Sequence, residues 1–250
     1  MAITNKQRLD LIQAYLQEHK YADLHALASR FETSLSTIRR ALNDLESNGV
    51  IRRHHGGASL VESVPGSGYD FITQDDTNAN EKRRIADRVA EIVKDGMTVM
   101  IDGGTTTYAV AKALLEKRLV IVTNSLPIAA LMNEISKSET VVPGGTLYNR
   151  LGVLCGPLCE TALEEMHADL AILGCAGLTE DGIWNSNAVL ASYQRKMIQS
   201  SAETLFVADG TKVGKRALSL TSRYEPTFTI VSTAKRASYV KEAGSKFISC

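Results

Sequence analysis

The sequence lacks any apolar run near the roughly 18 residues that a membrane helix needs, and its first residues are polar, unlike a signal peptide. It has only four cysteines in 250 residues, which is too few for a disulfide framework, and they lack the paired CxxC pattern of a zinc site. These absences predict a soluble, cytoplasmic chain with free thiols. They also predict no membrane partner and no bound metal.

An excess of one sign of charge is also absent, because 28 Lys and Arg side chains balance 28 Asp and Glu side chains. The balance hides a small difference, since residues 1–60 carry eight basic and six acidic side chains. Such a small excess neither supports nor excludes a nucleic-acid partner, so the positions of the charges must decide. With 44% hydrophobic and 22% charged residues, the chain is otherwise typical of a globular protein of one or two domains.

Three amphipathic helices are predicted at the start of the chain. Asp23 is placed to cap the second helix and Ser34 the third, and both are favoured N-cap residue types. In the third helix, Ile38, Leu42 and Leu45 have the spacing of one helical face. A short helix, a tight turn and this third helix together form a helix-turn-helix.

The opposite face of the third helix carries polar groups of the kinds that read DNA. Hydroxyl, guanidinium and amide side chains contact phosphates and base edges in the major groove, and a helix N-terminus attracts a phosphate. Residues 50–60 then predict two short strands around a basic turn, which would form a wing against the DNA backbone or minor groove. The alternative is a solvated helical face followed by a charged loop. The predicted DNA-binding residues are Ser34, Ser36, Thr37, Arg39, Arg40, Asn43, Arg53 and His55.

This region resembles the DNA-binding signature of the DeoR-type bacterial repressors. The resemblance is carried by Ser34–Leu42, by Leu45-Glu46 with Gly49, and by Arg53 with His55-Gly56-Gly57-Ala58. Two positions depart from the family, which usually has Asp where this chain has Ala41 and Val where it has Thr33. Because an Asp there could orient an arginine, these departures bear on which operator sequence is read.

A boundary follows the wing, because residues 61–80 are rich in Gly, Ser, Asp and Asn and show no sustained period. Helical and strand patterns then alternate to the end of the chain, which predicts an α/β domain with a mostly parallel sheet. We therefore expect a winged helix-turn-helix domain over residues 1–60, a linker over 61–80 and an α/β domain over 81–250.

Several predicted strands of this α/β domain end in short polar or glycine-rich segments. In parallel sheets, ligands bind beyond these carboxyl ends. The segments are Asp102–Thr107, Thr123–Ser125, Pro143–Thr146 and Ala208–Lys212. The first could cradle a phosphate, but neither a Walker A loop nor a GxGxxG motif is present, so a nucleotide is disfavoured. Together the segments indicate a sugar-phosphate pocket, whereas the alternative for the first is a tight strand-to-helix turn capped by threonines.

The resemblance extends to the effector domain of the same repressors. That domain is similar in fold to ribose-5-phosphate isomerase and usually senses a phosphorylated sugar or related metabolite. The effector residues that the resemblance implies are Asp102, Gly104, Thr105, Thr106, Asn124, Gly145, Asp209 and Lys212. This chain has no Glu between Asp181 and Lys196, where the family often has one, and has Val213 where an aromatic residue is usual.

Three hypotheses of function agree with these features. The first is a repressor of a carbohydrate-metabolism operon whose operator binding is modulated by a phosphorylated sugar. Because one helix-turn-helix reads only a half-site, such a regulator would be a homo-oligomer, a dimer or a tetramer. It would need no catalytic residue and no cofactor. The alternatives are a sugar-phosphate isomerase using Asp209 and Lys212, or a transcriptional activator, since the sign of regulation depends on where the operator lies.

Overall fold

The computed structural model describes residues 5–19, 21–47, 50–54, 56–60, 78–149 and 151–250. The chain divides into two compact units, Met1–Gly68 and Tyr69–Cys250. Most of the predicted linker lies outside the described residues, and its last two residues, Ala79 and Asn80, belong to a helix. The domain boundaries drawn from the sequence therefore stay predictions. Within the described ranges, no helix has the length and apolar character that crossing a membrane requires.

The first unit combines three helices with a small sheet in its described residues. Its elements are α1 (Asn5–His19), β1 (Tyr21–Asp23), α2 (Leu24–Arg30), α3 (Leu35–Ser47), β2 (Ile51–His54) and β3 (Gly57–Leu60). The helices pack around fully buried side chains that include Leu16, Leu27, Ile38 and Leu42. The predicted helix-turn-helix is confirmed.

The wing is an antiparallel pair of β2 and β3, and β1 adds a third strand to it. Asp23 ends β1 in extended backbone and caps α2, because its carboxylate accepts from the backbone N–H groups of His25 at 2.7 Å and Ala26 at 3.3 Å. Sequence patterning missed β1, since three residues are too few to show alternation. The same residues thus tie the wing to the start of the helix-turn-helix.

The second unit alternates helices and strands. Its helices are α4 (Ala79–Ile92), α5 (Thr105–Ala113), α6 (Leu126–Ile135), α7 (Pro157–Glu164), α8 (Ala188–Gln199) and α9 (Ser238–Glu242), with a 3-10 turn at Gly210–Lys212. Its strands are β4 (Thr98–Ile101), β5 (Val120–Thr123), β6 (Glu139–Val141), β7 (Thr146–Tyr148), β8 (Val153–Cys155), β9 (Ala168–Gly174), β10 (Gly177–Thr179), β11 (Gly182–Asn185), β12 (Ser201–Ala208), β13 (Ser219–Ser222), β14 (Phe228–Ser232) and β15 (Lys246–Ser249).

A seven-stranded sheet in the order β15-β14-β12-β9-β4-β5-β6 forms the centre of this unit. Every neighbouring pair is parallel, as predicted. Its central strands read as continuous apolar runs because helices cover both faces. Ile85 and Val89 of α4 pack with the core of one face, and Tyr193 and Met197 of α8 pack with that of the other. The carboxyl ends of β12, β9, β4 and β5 are therefore neighbours.

Two small antiparallel sheets complete the unit, and the sequence patterns did not predict them. One is the hairpin β7–β8, and the other has the order β10-β11-β13. The hairpin lies against the end of β5, since the Leu154 N–H donates to the Asn124 carbonyl at 2.8 Å and Ser125 forms a bridge with Val153. It therefore contacts the edge at which the predicted effector residues lie.

Candidate DNA interface and effector site

The third helix presents one apolar and one polar face, as its sequence predicts. Ile38, Leu42 and Leu45 are buried, whereas Arg39 and Arg40 are exposed. Ser36 and Asn43 are also exposed and Thr37 is half-buried. The guanidinium groups are thus free of the core and available to a nucleic acid.

Ser34 caps this helix. Its hydroxyl accepts from the Thr37 N–H at 3.2 Å and lies 2.8 Å from the hydroxyls of both Ser36 and Thr37. This hydroxyl cluster at the helix N-terminus is suited to a DNA phosphate. Ser34 therefore has a structural task alongside the predicted one.

Arg53 joins the wing to the third helix. Its guanidinium donates to the Asn43 side-chain oxygen, and its backbone N–H donates to the Glu46 carboxylate at 3.1 Å. Two predicted DNA-binding residues, Asn43 and Arg53, are thereby held together. Sequence patterning did not single out Glu46 for this contact. His55, the last predicted DNA-binding residue, lies outside the described residues.

The predicted effector loop is the connection from β4 to α5. The helix begins at Thr105, so the threonines form its first turn. Gly104 is the N-cap and supplies no side-chain cap, and Thr107 donates its hydroxyl to the Gly104 carbonyl at 2.9 Å. A glycine N-cap places no side chain between the helix N-terminus and an anion, which the helix dipole favours.

Asp102 is the first residue of this connection and is buried. Its carboxylate accepts from the Gly103 N–H at 2.8 Å and from the Gln194 amide at 2.6 Å. Burial raises its pKa to about 6, although the hydrogen bonds from Gln194 and from the backbone of Gly103 and Gly174 lower it. The carboxylate is thus held by neutral donors.

Asn124 lies at the end of β5, the strand next to β4. Its side-chain nitrogen donates to the Leu154 carbonyl at 2.9 Å. Its side-chain oxygen is buried and has no hydrogen-bond partner among the described residues. Because buried polar atoms are seldom left unpaired, this oxygen is a candidate acceptor for a ligand hydroxyl.

Asp209 and Lys212 lie at the end of β12, which β9 separates from β4. Asp209 is buried and caps the 3-10 turn, where its carboxylate accepts from the Thr211 N–H at 3.0 Å and from the Thr211 hydroxyl. Lys212 is half-buried. Burial raises the pKa of the Cys175 thiol at the end of β9, and the positive charge of Lys212 opposes that rise. These two residues thus extend the polar edge from β4 towards β12.

Gly145 belongs to the connection between β6 and β7. Its φ of +123° lies in the region that favours glycine, and a Cβ there would lie 2.8 Å from the Cys155 carbonyl oxygen. A larger side chain at this position would be too close to the hairpin, which explains why the residue is a glycine.

The described residues contain no group of three His, Cys, Asp or Glu side chains arranged to hold a metal. Lys196 forms an ion pair with Glu164 of α7, and the exposed Asp181 pairs with Arg216. It is Gln194 of α8 that reaches Asp102, and sequence patterning gave no signal for this contact across 92 residues of chain. The geometry thus assembles Asp102, Gly104, Thr105 and Thr106 in one connection, with Asn124 on the adjoining strand.

Comparison with known proteins agrees with both units. The chain matches the DeoR-like helix-turn-helix domain over residues 8–64 and the DeoR C terminal sensor domain over residues 77–233. The glycerol-3-phosphate regulon repressor of Escherichia coli is 34% identical over 85% of this chain and 84% of its own length. The L-fucose operon activator of Haemophilus influenzae is 32% identical over 84% of this chain and 85% of its own length.

Among solved structures, ribose 5-phosphate isomerase A of Methanocaldococcus jannaschii aligns with 55% of this chain and 55% of its own, at 16% identity and a TM-score of 0.42. The two domain matches and the relatives' identities confirm the resemblance found in the sequence. The chain belongs to the DeoR family of transcriptional regulators.

Proposed function

We propose that this regulator binds its operator as a homo-oligomer in the cytoplasm and represses a carbohydrate-metabolism operon in response to a phosphorylated sugar or related metabolite. One observation supports this class of effector most directly. The N-terminus of α5, which follows a glycine N-cap, lies close to the buried carboxylate of Asp102, and the neighbouring strand ends at Asn124, whose buried side-chain oxygen has no partner among the described residues. The relatives named for glycerol-3-phosphate and L-fucose genes support a carbohydrate-derived ligand.

The groups at this edge suit the two parts of a sugar phosphate. Backbone N–H groups and threonine hydroxyls at the start of α5 would bind the phosphate, aided by the helix dipole. Asp102 and Asn124 would accept hydrogen bonds from sugar hydroxyls. Lys212 would add a positive charge to the same edge.

DNA binding places the exposed face of α3 in the major groove, with the wing against the backbone. Arg39 and Arg40 are the base or phosphate contacts, and Arg53 is held at the wing by Asn43. A homo-oligomer follows because the operator must present one half-site to each helix-turn-helix.

A genomic-fragment pull-down with the purified full chain tests the DNA part, at two stated salt concentrations because phosphate contacts make affinity salt-dependent. We expect enrichment of a few repeat-containing sites, and the genes beside them nominate the phosphorylated sugars to add next. Release by one of these, and not by its dephosphorylated form, supports the effector class. Flat recovery at both salt concentrations contradicts the proposal.

Two alternatives have their own measurements. An isomerase would need Asp209 or another group free to act as a base, but the Asp209 carboxylate already caps the 3-10 turn. Turnover of ribose 5-phosphate by the full chain would revive that alternative. Transcription in vitro from a recovered promoter gives the sign of regulation, and stimulation would make the protein an activator.

A further inference from the structure

Gln194 lies on the buried side of α8 and is only 1% exposed. Its amide nitrogen donates to the Asp102 carboxylate at 2.6 Å and to the Gly174 carbonyl at 2.8 Å. Its amide oxygen accepts from the Asn185 amide and from the Thr221 hydroxyl, each at 3.1 Å. All four hydrogen-bonding positions of the amide are therefore used.

The neighbours of Gln194 fix which way its amide points. The Asn187 backbone N–H can only donate, and it donates to the Asn185 side-chain oxygen at 3.0 Å. The Asn185 nitrogen must then face Gln194 and donate to its oxygen. The Gly174 carbonyl can only accept, so it requires the nitrogen of Gln194 on the other side. The amide orientation is thus set by backbone groups at both ends.

This arrangement leaves Asp102 with a fixed position and spare acceptor capacity. Oδ1 holds a short contact with Gly103 and Oδ2 with Gln194, and the Gly174 backbone N–H also donates to the carboxylate. An ionised carboxylate offers about four lone-pair sites, so further donors can bind. The donor from α8 is neutral, so no charge from Gln194 competes with a ligand hydroxyl for this carboxylate.

We propose that Gln194 is a positioning residue that determines specificity at the strand-end site, by holding Asp102 where it accepts ligand hydroxyls while the N-terminus of α5 holds the phosphate. The inference rests on the proposed function, because it assumes a ligand that carries both groups. It divides the site into a phosphate half, independent of Gln194, and a hydroxyl half that depends on it.

Calorimetric titration of the full chain with ribose 5-phosphate, glycerol 3-phosphate and inorganic phosphate tests this division. We expect Gln194→Met to lose about tenfold or more in affinity for the hydroxyl-bearing phosphate that the wild type prefers, as is typical of hydrogen bonds to charged groups. Inorganic phosphate should bind as before. Gln199→Met is the matched control, because Gln199 is exposed on the same helix.

Conservative rescue separates positioning from packing. Gln194→Glu can donate to Asp102 only while its new carboxyl is protonated, so its preference, compared with that of the wild type at the same pH, should fall as pH rises from about 6 to 8. Gln194→Met introduces no group that titrates, so a change of pH should not restore its preference. Equal losses for all three probes, or an unchanged preference in Gln194→Met, would overturn the inference. A wild type that binds no hydroxyl-bearing phosphate better than inorganic phosphate contradicts the proposed function instead.

If the wild type binds no such phosphate, a second measurement that needs no ligand still tests whether Gln194 holds Asp102. Urea unfolding of Gln194→Glu, relative to wild type, should become easier as pH rises from about 5 to 8, since two adjacent carboxylates repel. Burial raises the pKa of Cys159 to about 11 and that of Tyr193 above its usual range, so neither nearby group titrates there. Profiles parallel to those of the exposed control Gln199→Glu would overturn the contact between Gln194 and Asp102.

Discussion

At the scale of single residues, Asp102 is the clearest case of a candidate site residue whose burial lowers the free energy of unfolding. The residue is 4% exposed, and burial raises the pKa of its carboxyl group from 3.8 to about 6. The native state then binds this proton more tightly than the unfolded chain does, so the contribution of Asp102 to stability falls as pH rises from about 4 to 6. An acid kept ionised at neutral pH at such a cost indicates a functional position.

Asp102→Asn removes this titration. We expect the free energy of unfolding of the variant, minus that of the wild type, to rise by about 2–3 kcal/mol between about pH 4 and pH 7, at about 1.4 kcal/mol per pKa unit. The lost hydrogen bond from Gly103 or Gln194 shifts the whole curve but not its pH dependence. Urea titrations at several pH values measure the difference, and Asp87→Asn, at an exposed aspartate of α4, is the control. A flat difference would show that Asp102 does not titrate with a raised pKa.

Arg40 is the residue at which specificity for DNA can be tested. Its guanidinium is exposed on the polar face of α3. If it binds a guanine through two hydrogen bonds, Arg40→Ala should weaken operator binding by about 1–3 kcal/mol and remove the preference at that base pair. Fluorescence anisotropy with operator variants measures both effects. A uniform loss across sequences, with a smaller salt slope, would identify a phosphate contact instead.

At the scale of secondary-structure elements, the features that could be predicted from the sequence are those marked by a periodic pattern of apolar residues. The apolar spacing of Ile38, Leu42 and Leu45 gave the buried face of α3, and alternation gave the parallel sheet. It did not give the hairpin β7–β8 or the contact of Gln194, because short strands carry little pattern and tertiary hydrogen bonds carry none. The polar strand ends were visible in the sequence, whereas which of them meet depends on strand order.

The attachment of the wing to α3 can be tested through Glu46, whose carboxylate accepts from the Arg53 backbone N–H. Glu46→Ala removes the acceptor, and Glu46→Gln keeps one while removing the same charge. We expect the Ala variant to bind operator more weakly than the Gln variant by about 0.5–1.5 kcal/mol, the usual worth of one hydrogen bond. Anisotropy titrations at one salt concentration compare the two. Equal affinities would mean that this bond does not hold the wing for DNA.

At the scale of the whole molecule, regulation requires that the ligand distinguish the DNA-binding arrangement from the other. The coupling is reciprocal: a ligand that weakens operator binding by some factor must itself bind more weakly to the operator complex by the same factor, which is typically about 5–150-fold. Calorimetry of the full chain with the phosphorylated sugar found by the pull-down, with and without saturating operator, measures one factor, and anisotropy with and without ligand measures the other. Dephosphorylated sugar is the control and should leave both unchanged. Unequal factors would mean that the ligand does more than shift one equilibrium between two arrangements, for example by changing the number of subunits on the DNA. Equal factors would mean that the site at β4 and α5 and the exposed face of α3 take part in one linked equilibrium.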